Sequence, residues 1–331
     1  MASNTDFSDL GRIEALRQLY EGTPYSQSCS GVFPADGNAA LASRVFLEGT
    51  DFNLVYFPLK HLGYKCVTAI TGEIFALLAR PVALKVILGV SSKLDFAKIK
   101  ELWLGIVAAA KEHDYKSVAL DLVPSKNGLC ISLAAAGETV IAETTAPQSK
   151  DLICVSGPLG AAYLGMSALE NGLKHYDKSG EQPELDKYKM LIRAYLKPEL
   201  QPEIPERLKE SGIVPSFCTL VSRGLSDSVK QAALKTGLGA KVYADRIPFE
   251  GNSFSLGKEL DIDPVSAAMN GGDDFRLLIT IPITAIDSFR KDFQAWDIIG
   301  HLALPDVGTV LVTPDGAELP LRAQGWNDDD E

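Results

Sequence analysis

Residues 58–90 read PLKHLGYKCVTAITGEIFALLARPVALKVILGV, and this stretch constrains the fold more than any other. Its first part, 58–79, is apolar and poor in breakers, which predicts a buried helix despite its β-branched residues. Pro81 ends that helix, and the β-branched run at 82–90 predicts a strand. A buried helix leading straight into a buried strand requires a sizeable core. The 331 residues, 46% apolar and 23% charged, can supply one, and this length favours two domains.

The rest of the chain alternates without a regular βαβ period. Helices are predicted over 7–20, 95–114, 158–176, 185–196, 202–211 and 225–237. Asp95 is a suitable N-cap for the second of these. Strands are predicted over 43–49, 116–123, 129–137, 152–157, 216–222, 240–249 and 273–282. The Asn127-Gly128 pair suggests a hairpin turn between 116–123 and 129–137, and Asp315-Gly316 suggests another near the end. Hairpins among mixed elements favour α+β over a doubly wound sheet. The polar segment 142–151, with Pro147, is the candidate boundary, giving domains at 1–146 and 147–331.

Several function classes fall away on composition. The formal net charge is −11, with no basic face suited to a nucleic acid. The five cysteines are odd in number, form no CxxC pair and mostly sit in apolar runs. They read as reduced thiols of a cytoplasmic protein. The four histidines lack metal-binding spacing. The first residues do not form a secretory signal, and no apolar run is long enough for a membrane span.

Two glycine-rich stretches carry local signals. In SGPLGAAYLG (156–165), Gly157 and Gly160 lead into a helix, whose N-terminus suits a phosphate. No Gly-Lys-Ser/Thr follows, and on this stretch alone a tight strand-to-helix turn is the favoured explanation of the glycines. In NGGDDF (270–275), Gly271 and Gly272 precede Asp273 and Asp274. Adjacent carboxylates suit Mg²⁺, and the glycines permit close approach of a phosphate. A solvated turn at a strand start is the other reading, and the loop alone leaves both open. Trp326, in a polar context near the end of the chain, is a candidate contact for an aromatic substrate.

Taken together, LEGTDFNLVYFPLKHLGYK (47–65), DLICVSGPLGAAYLGM (151–166), LKPEL (196–200), GIVPSF (212–217), MNGGDDFRLL (269–278) and the closing IIGHLALPDVG…AQGW resemble the thiamine-monophosphate kinase family. That family belongs to the superfamily of aminoimidazole ribonucleotide synthetase and selenophosphate synthetase. The resemblance covers nearly the whole chain, in family order. It implies a two-domain α+β fold whose N-terminal domains pair across a dimer into a β-barrel. It also implies ATP, several Mg²⁺ ions held by aspartates, and phosphoryl transfer to thiamine monophosphate.

The aspartates are where this chain departs from the pattern. The first loop, GVFPADGNAALA (31–42), retains only Asp36. Arg44 stands where the family ends a strand with Asp. Glu73 falls at the Asp of the helix motif, and Asp121 survives without its glycines and threonine. Leu220 and Arg223 replace both aspartates of the Asp-x-Ser-Asp-Gly-Leu motif. Only GGDDF persists, with Asp273 in place of the family's Glu and Asp274 at its Asp. Glu73, Asp121, Asp273 and Asp274 are thus the residual metal candidates. Gly157, Gly160, Gly271 and Gly272 are the nucleotide candidates.

Two guanidiniums at metal-ligand positions repel a cation, which makes Mg²⁺ and ATP binding doubtful. Arg44 and Arg223 are expected to pair with Glu73, Asp121 and Asp274. The implied protein is catalytically impaired, a binding, regulatory or heterodimer partner, as a homodimer or beside a related kinase. The alternative is an active ATP-dependent phosphotransferase with a rebuilt site.

Overall fold

The computed structural model describes residue 14, residues 32–34 and residues 38–321. Asp36, Trp326 and, apart from Glu14, the helix expected over 7–20 lie outside these described residues.

Two mixed sheets organise the chain. The first contains β1 (Val32–Pro34), β2 (Ala39–Leu47), β3 (Ala79–Ser91), β4 (Ser117–Ser125) and β5 (Cys130–Thr139), ordered β1-β2-β5-β3-β4. Along β2 the side chains alternate, so Ala40, Ala42, Arg44 and Phe46 face inward while Leu41, Val45 and Leu47 face outward. Helices α1 (Leu59–Ala76) and α2 (Phe96–Glu112) pack against each other, and α1 covers the inward face. α2 starts at Asp95, whose carboxylate accepts the Lys98 N–H at 2.9 Å, the capping expected for this residue.

Three local expectations are corrected. Pro81 does not end the first helix: α1 stops at Ala76, Leu78 turns left-handed (φ 54°), and Pro81 lies inside β3. There the pairing with β5 shifts register between Pro81 and Ala83, which tolerates a residue with no N–H to donate. Second, β4 and β5 do not form a hairpin. β4 runs parallel to β3, and β5 lies on the other side of β3. Helix α2 provides the long crossover that a parallel pair needs, and the turn at Gly128 (φ 90°) then carries the chain across the end of β3. Third, the strand expected over 240–249 ends at Tyr243 and gives way to a short 3-10 turn, Ala244–Arg246.

The second sheet is formed by β6 (Leu152–Val155), β7 (Phe217–Val221), β8 (Gly239–Tyr243), β9 (Arg276–Ile281), β10 (Asp297–Ala303), β11 (Thr309–Val312) and β12 (Glu318–Pro320). Its order is β12-β11-β8-β10-β6-β9-β7. The expected hairpin is present: β11 and β12 pair antiparallel around Asp315-Gly316. Around this sheet lie α3 (Ala161–Ser179), α4 (Lys189–Leu196), α5 (Ile204–Glu210), α6 (Leu225–Thr236), α7 (Ser253–Glu259), α8 (Pro264–Asn270) and α9 (Ile286–Asp292). The short helices α7 and α8 fall in 250–272, where no periodic signal marks an element.

One apolar cluster runs from α1 and the first sheet through Leu220, Leu277 and Ile279 to Phe289, Phe293 and Trp296. α1 therefore packs on both sheets, against β5 on one side and β7 and β9 on the other. That placement brings the loops at the ends of β6, β7 and β9 against α1 and β2. No helix among the described residues is long and apolar enough to cross a membrane.

Candidate functional site

Three loops meet beside α1: 156–160 after β6, 222–224 after β7, and 271–275 before β9. Their backbones touch. The Asp273 N–H donates to the Ser222 carbonyl (3.1 Å), and the Phe275 N–H to that of Val221 (3.0 Å). A Cβ on Gly272, at φ 81°, would stand 2.8 Å from the Ser222 carbonyl oxygen, and one on Gly271 2.4 Å from the Tyr163 Cβ. A Cβ on Gly160, at φ 80°, would stand 2.9 Å from the Ala268 backbone nitrogen. These glycines are explained by loop-on-loop packing and left-handed backbone. Gly157, at φ 153°, lies beside the Arg276 side chain.

The backbone of 272–275 decides where the acids go. Gly272, Asp273 and Phe275 all have left-handed φ values, an arrangement that costs on the order of 1 kcal/mol for each non-glycine residue. The kinks send the two neighbouring carboxylates to different partners. Asp274 reaches the start of α3, where its oxygens accept the N–H groups of Gly160 (2.8 Å) and Ala162 (3.2 Å). The anion at this helix N-terminus is thus the protein's own carboxylate. Asp274 is only 7% exposed. Burial raises its pKa to about 7, against the lowering effect of the two N–H donors and Arg276.

Asp273 faces α1 instead. Lys65 Nζ lies 2.8 Å from one of its oxygens, and Arg44 Nη2 3.7 Å from the other. Arg44 Nη1 is in turn 3.9 Å from a Glu73 carboxylate oxygen. The Arg44 guanidinium lies over Phe46 (5.0 Å) and Phe275 (5.5 Å). Lys65 Nζ lies 3.5 Å from the centre of the Tyr195 ring and 5.3 Å from that of Phe57. Its pKa is lowered by burial, opposed by Asp273. Two cations and two carboxylates thus meet in an aromatic-walled interior, an arrangement that such burial demands.

The remaining candidates separate. Leu220 is 2% exposed and packs on α1, where a Cβ on Gly72 would come within 2.7 Å of its Cδ1. Arg223 is exposed on the loop after β7, and its charge acts on half-buried Asp51, as does that of Arg44. Asp121 is not brought to the cluster. It lies in β4 beside Ile87 of β3, in the row through Ser132 to Val45. Arg44 occupies the next row, so Asp121 points to the opposite face of the sheet.

The expectation that Arg44 and Arg223 pair with Glu73, Asp121 and Asp274 is therefore revised. Arg44 does face Glu73, but its second acid is Asp273, while Asp274 caps a helix and Asp121 lies across the sheet. Lys65, Phe57, Tyr195 and Asp51 were missed. Lys65 carried a usable signal: a lysine inside an otherwise apolar helix must find an acid if it is buried.

These donors do not suit a divalent ion. Among the described residues no group of three His, Cys, Asp or Glu side chains is arranged to hold a metal. Glu73 and Asp273 face Arg44 and Lys65, and Asp274 is held by backbone N–H groups.

Comparison with known proteins agrees with this architecture. No family model matches the chain. A thiamine-monophosphate kinase of Methanopyrus kandleri is 24% identical over 234 residues, 70% of each chain. The structure of AaThiL complexed with AMPPCP and TMP superposes with a TM-score of 0.81 at 17% identity, covering 99% of this chain and 100% of that one. HypE in a HypE–HypF complex superposes with a TM-score of 0.66 at 15% identity, covering 93% and 98%. The chain is a divergent relative of the thiamine-monophosphate kinases, with the α+β fold they share with HypE.

Proposed function

We propose that this chain is a thiamine-monophosphate kinase-like protein that has lost magnesium-dependent phosphoryl transfer and serves as a binding, regulatory or heterodimer partner. The observation that carries the reading is Arg44. Its guanidinium stands between Glu73 and Asp273, where the resembled family places a metal-binding aspartate. A fixed monovalent cation satisfies those acids but offers no open coordination positions for phosphate oxygens or water, which a metal ion would supply. Leu220 adds an apolar wall where the same pattern has a ligand.

ATP belongs to this proposal only as a ligand, since a solved relative binds AMPPCP together with TMP. Pairing is supported by the outer face of the first sheet, where Leu41, Val45 and Leu47 of β2 are exposed. An apolar sheet face of this kind calls for a covering surface. A second copy or a related kinase subunit, closing a barrel as the resemblance implies, supplies it.

The deciding experiment incubates the purified protein with ATP, Mg²⁺ and thiamine monophosphate and measures thiamine diphosphate. No product above background is expected. Robust turnover that Asp274→Ala abolishes overturns the proposal and establishes the rebuilt-kinase alternative. Thermal shift with MgATP, compared with ATP in EDTA, separates nucleotide binding from metal use: any nucleotide stabilisation is expected to be the same in both.

A further inference from the structure

The end of α2 that packs on α1 holds a histidine that takes no part in the Arg44 cluster. His113 follows the last residue of α2, and only 6% of it is exposed. Neither ring nitrogen has a hydrogen-bond partner among the described residues. The ring meets Phe75 of α1 edge-on, with centroids 6.4 Å apart. A buried polar group without a partner is uncommon in a finished interior. Here the group is also one that gains a proton near neutral pH.

Three carbonyls of this helix end are already engaged. The N–H groups of His113, Asp114 and Tyr115 donate to Ala109, Lys111 and Ala110 at 3.0, 3.2 and 3.0 Å. The chain turns on Asp114, left-handed at φ 60°, a position that usually belongs to glycine. Tyr115 ties the turn to α1, its hydroxyl 3.1 Å from that of Thr71.

The surrounding charges are committed elsewhere. On α2, Lys111 is exposed, and Glu112 accepts the Tyr64 hydroxyl of α1 at 2.8 Å. In the turn, Asp114 pairs with Lys116. On α1, Glu73 faces Arg44 and Lys65 faces Asp273. At the start of β3, Arg80 faces Glu138 and Glu206. Burial pushes the Tyr64 and Tyr115 phenols up, so both stay neutral. Glu112 is the one charge among the described residues that acts on His113. Burial outweighs it and holds the imidazole below its usual pKa.

We propose that His113 is an acid-sensitive catch between α1 and α2. Neutral, the ring packs beside Phe75 and holds the end of α2 on α1. Protonated, it carries a charge with no acceptor in that interior, and the end of α2 opens to hydrate it. α1 also carries Lys65 and Glu73, so the catch acts on the helix that builds the Arg44 cluster. It does not depend on whether that cluster supports turnover. In the open form the ring regains the ordinary histidine value of about 6.5. Opening therefore takes up a proton and is favoured as pH falls below that value. Between pH 7.5 and 5.5 the open fraction should rise by roughly tenfold.

Hydrogen exchange of the full-length protein at these two pH values, corrected for intrinsic rates, reads the opening at 109–116 and 70–78. Protection there should fall by roughly tenfold in wild type and by less than about twofold in H113F, which keeps a ring but cannot titrate. H113M is the second variant if H113F folds poorly. NMR titration of the wild-type histidines should place His113 below the exposed His61 and His175. H301Q removes the other histidine that burial keeps towards its neutral form, and it should leave the fall at 109–116 intact.

Equal protection at both pH values would overturn the proposal. So would a fall as large in H113F and H113M as in wild type, or one abolished by H301Q. A His113 that titrates with His61 and His175, or above them, would overturn it as well.

Discussion

Replacing Arg44 with aspartate reverses the charge at the centre of the buried cluster and tests the reasoning at its most exposed step. The guanidinium lies 3.9 Å from Glu73 and 3.7 Å from Asp273, and the Arg44 side chain is 10% exposed. At such separations and an effective dielectric near 20, each pair is worth about 4 kcal/mol of gross attraction. Desolvation cancels part of this, and Lys65 still neutralises Asp273 in the variant. Removing one partner of a buried pair costs about 3–5 kcal/mol, and a third carboxylate adds repulsion. Arg44→Asp should therefore lower Tm by roughly 5 °C or more at this chain size.

The same variant regains an acid beside Glu73 and Asp273. Mg²⁺ should now stabilise it, by about 2.7 kcal/mol when the ion is at one hundred times its Kd. Differential scanning calorimetry of wild type, Arg44→Met and Arg44→Asp, with and without Mg²⁺, reads both effects. Only Arg44→Asp should respond to the ion. A variant that melts with the wild type refutes the ion-pair assignment. A wild type stabilised by Mg²⁺ as strongly as Arg44→Asp refutes the claim that arginine has taken the metal's place.

Other expectations concern the same surroundings. Leu220→Ala should cost about 2–5 kcal/mol in urea unfolding. Gly72→Ala should cost about 1–3 kcal/mol through crowding against Leu220, and Leu220→Ala should relieve that crowding in the double variant. Asp274 has a folded-state pKa raised to about 7 from 3.8. Its contribution to stability is therefore greatest below pH 4 and disappears as pH rises through 7, a span on the order of a few kcal/mol. Asp274→Asn should flatten that part of the stability–pH curve between pH 4 and 8, and an unchanged slope would exclude this carboxyl as its source. Val45→Glu, on the outer sheet face, should turn a dimer into monomers by light scattering, whereas an unchanged mass would show that this face is not the interface.

Much of the fold was legible because burial leaves periodic traces. The apolar run at 58–79 had to be a buried helix, the stretch 43–49 already read as a strand, and Asp315-Gly316 suggested a hairpin. Framework stretches spread along the chain pointed to the architecture, and the substitutions at 44, 220 and 223 were visible as departures from a metal-binding pattern. Pairing across long sequence separations left no such trace. A turn at Gly128 is compatible with a hairpin or a crossover, and only the packing of α2 on α1 and the insertion of β3 chose the crossover.

The sequence by itself determined which charges this protein carries and that arginines stand where the resembled pattern has aspartates. Tertiary structure alone decided their partners. Asp273 and Asp274 are adjacent in the chain, yet left-handed backbone at 272, 273 and 275 turns one towards Lys65 and Arg44 and the other to the start of α3. Asp121 aligns with the ligand pattern, yet the two-residue period of a strand points it away. An ion pair is made by a few ångströms of separation and by the exclusion of water. Both are properties of the packed interior, where residues more than a hundred positions apart become neighbours.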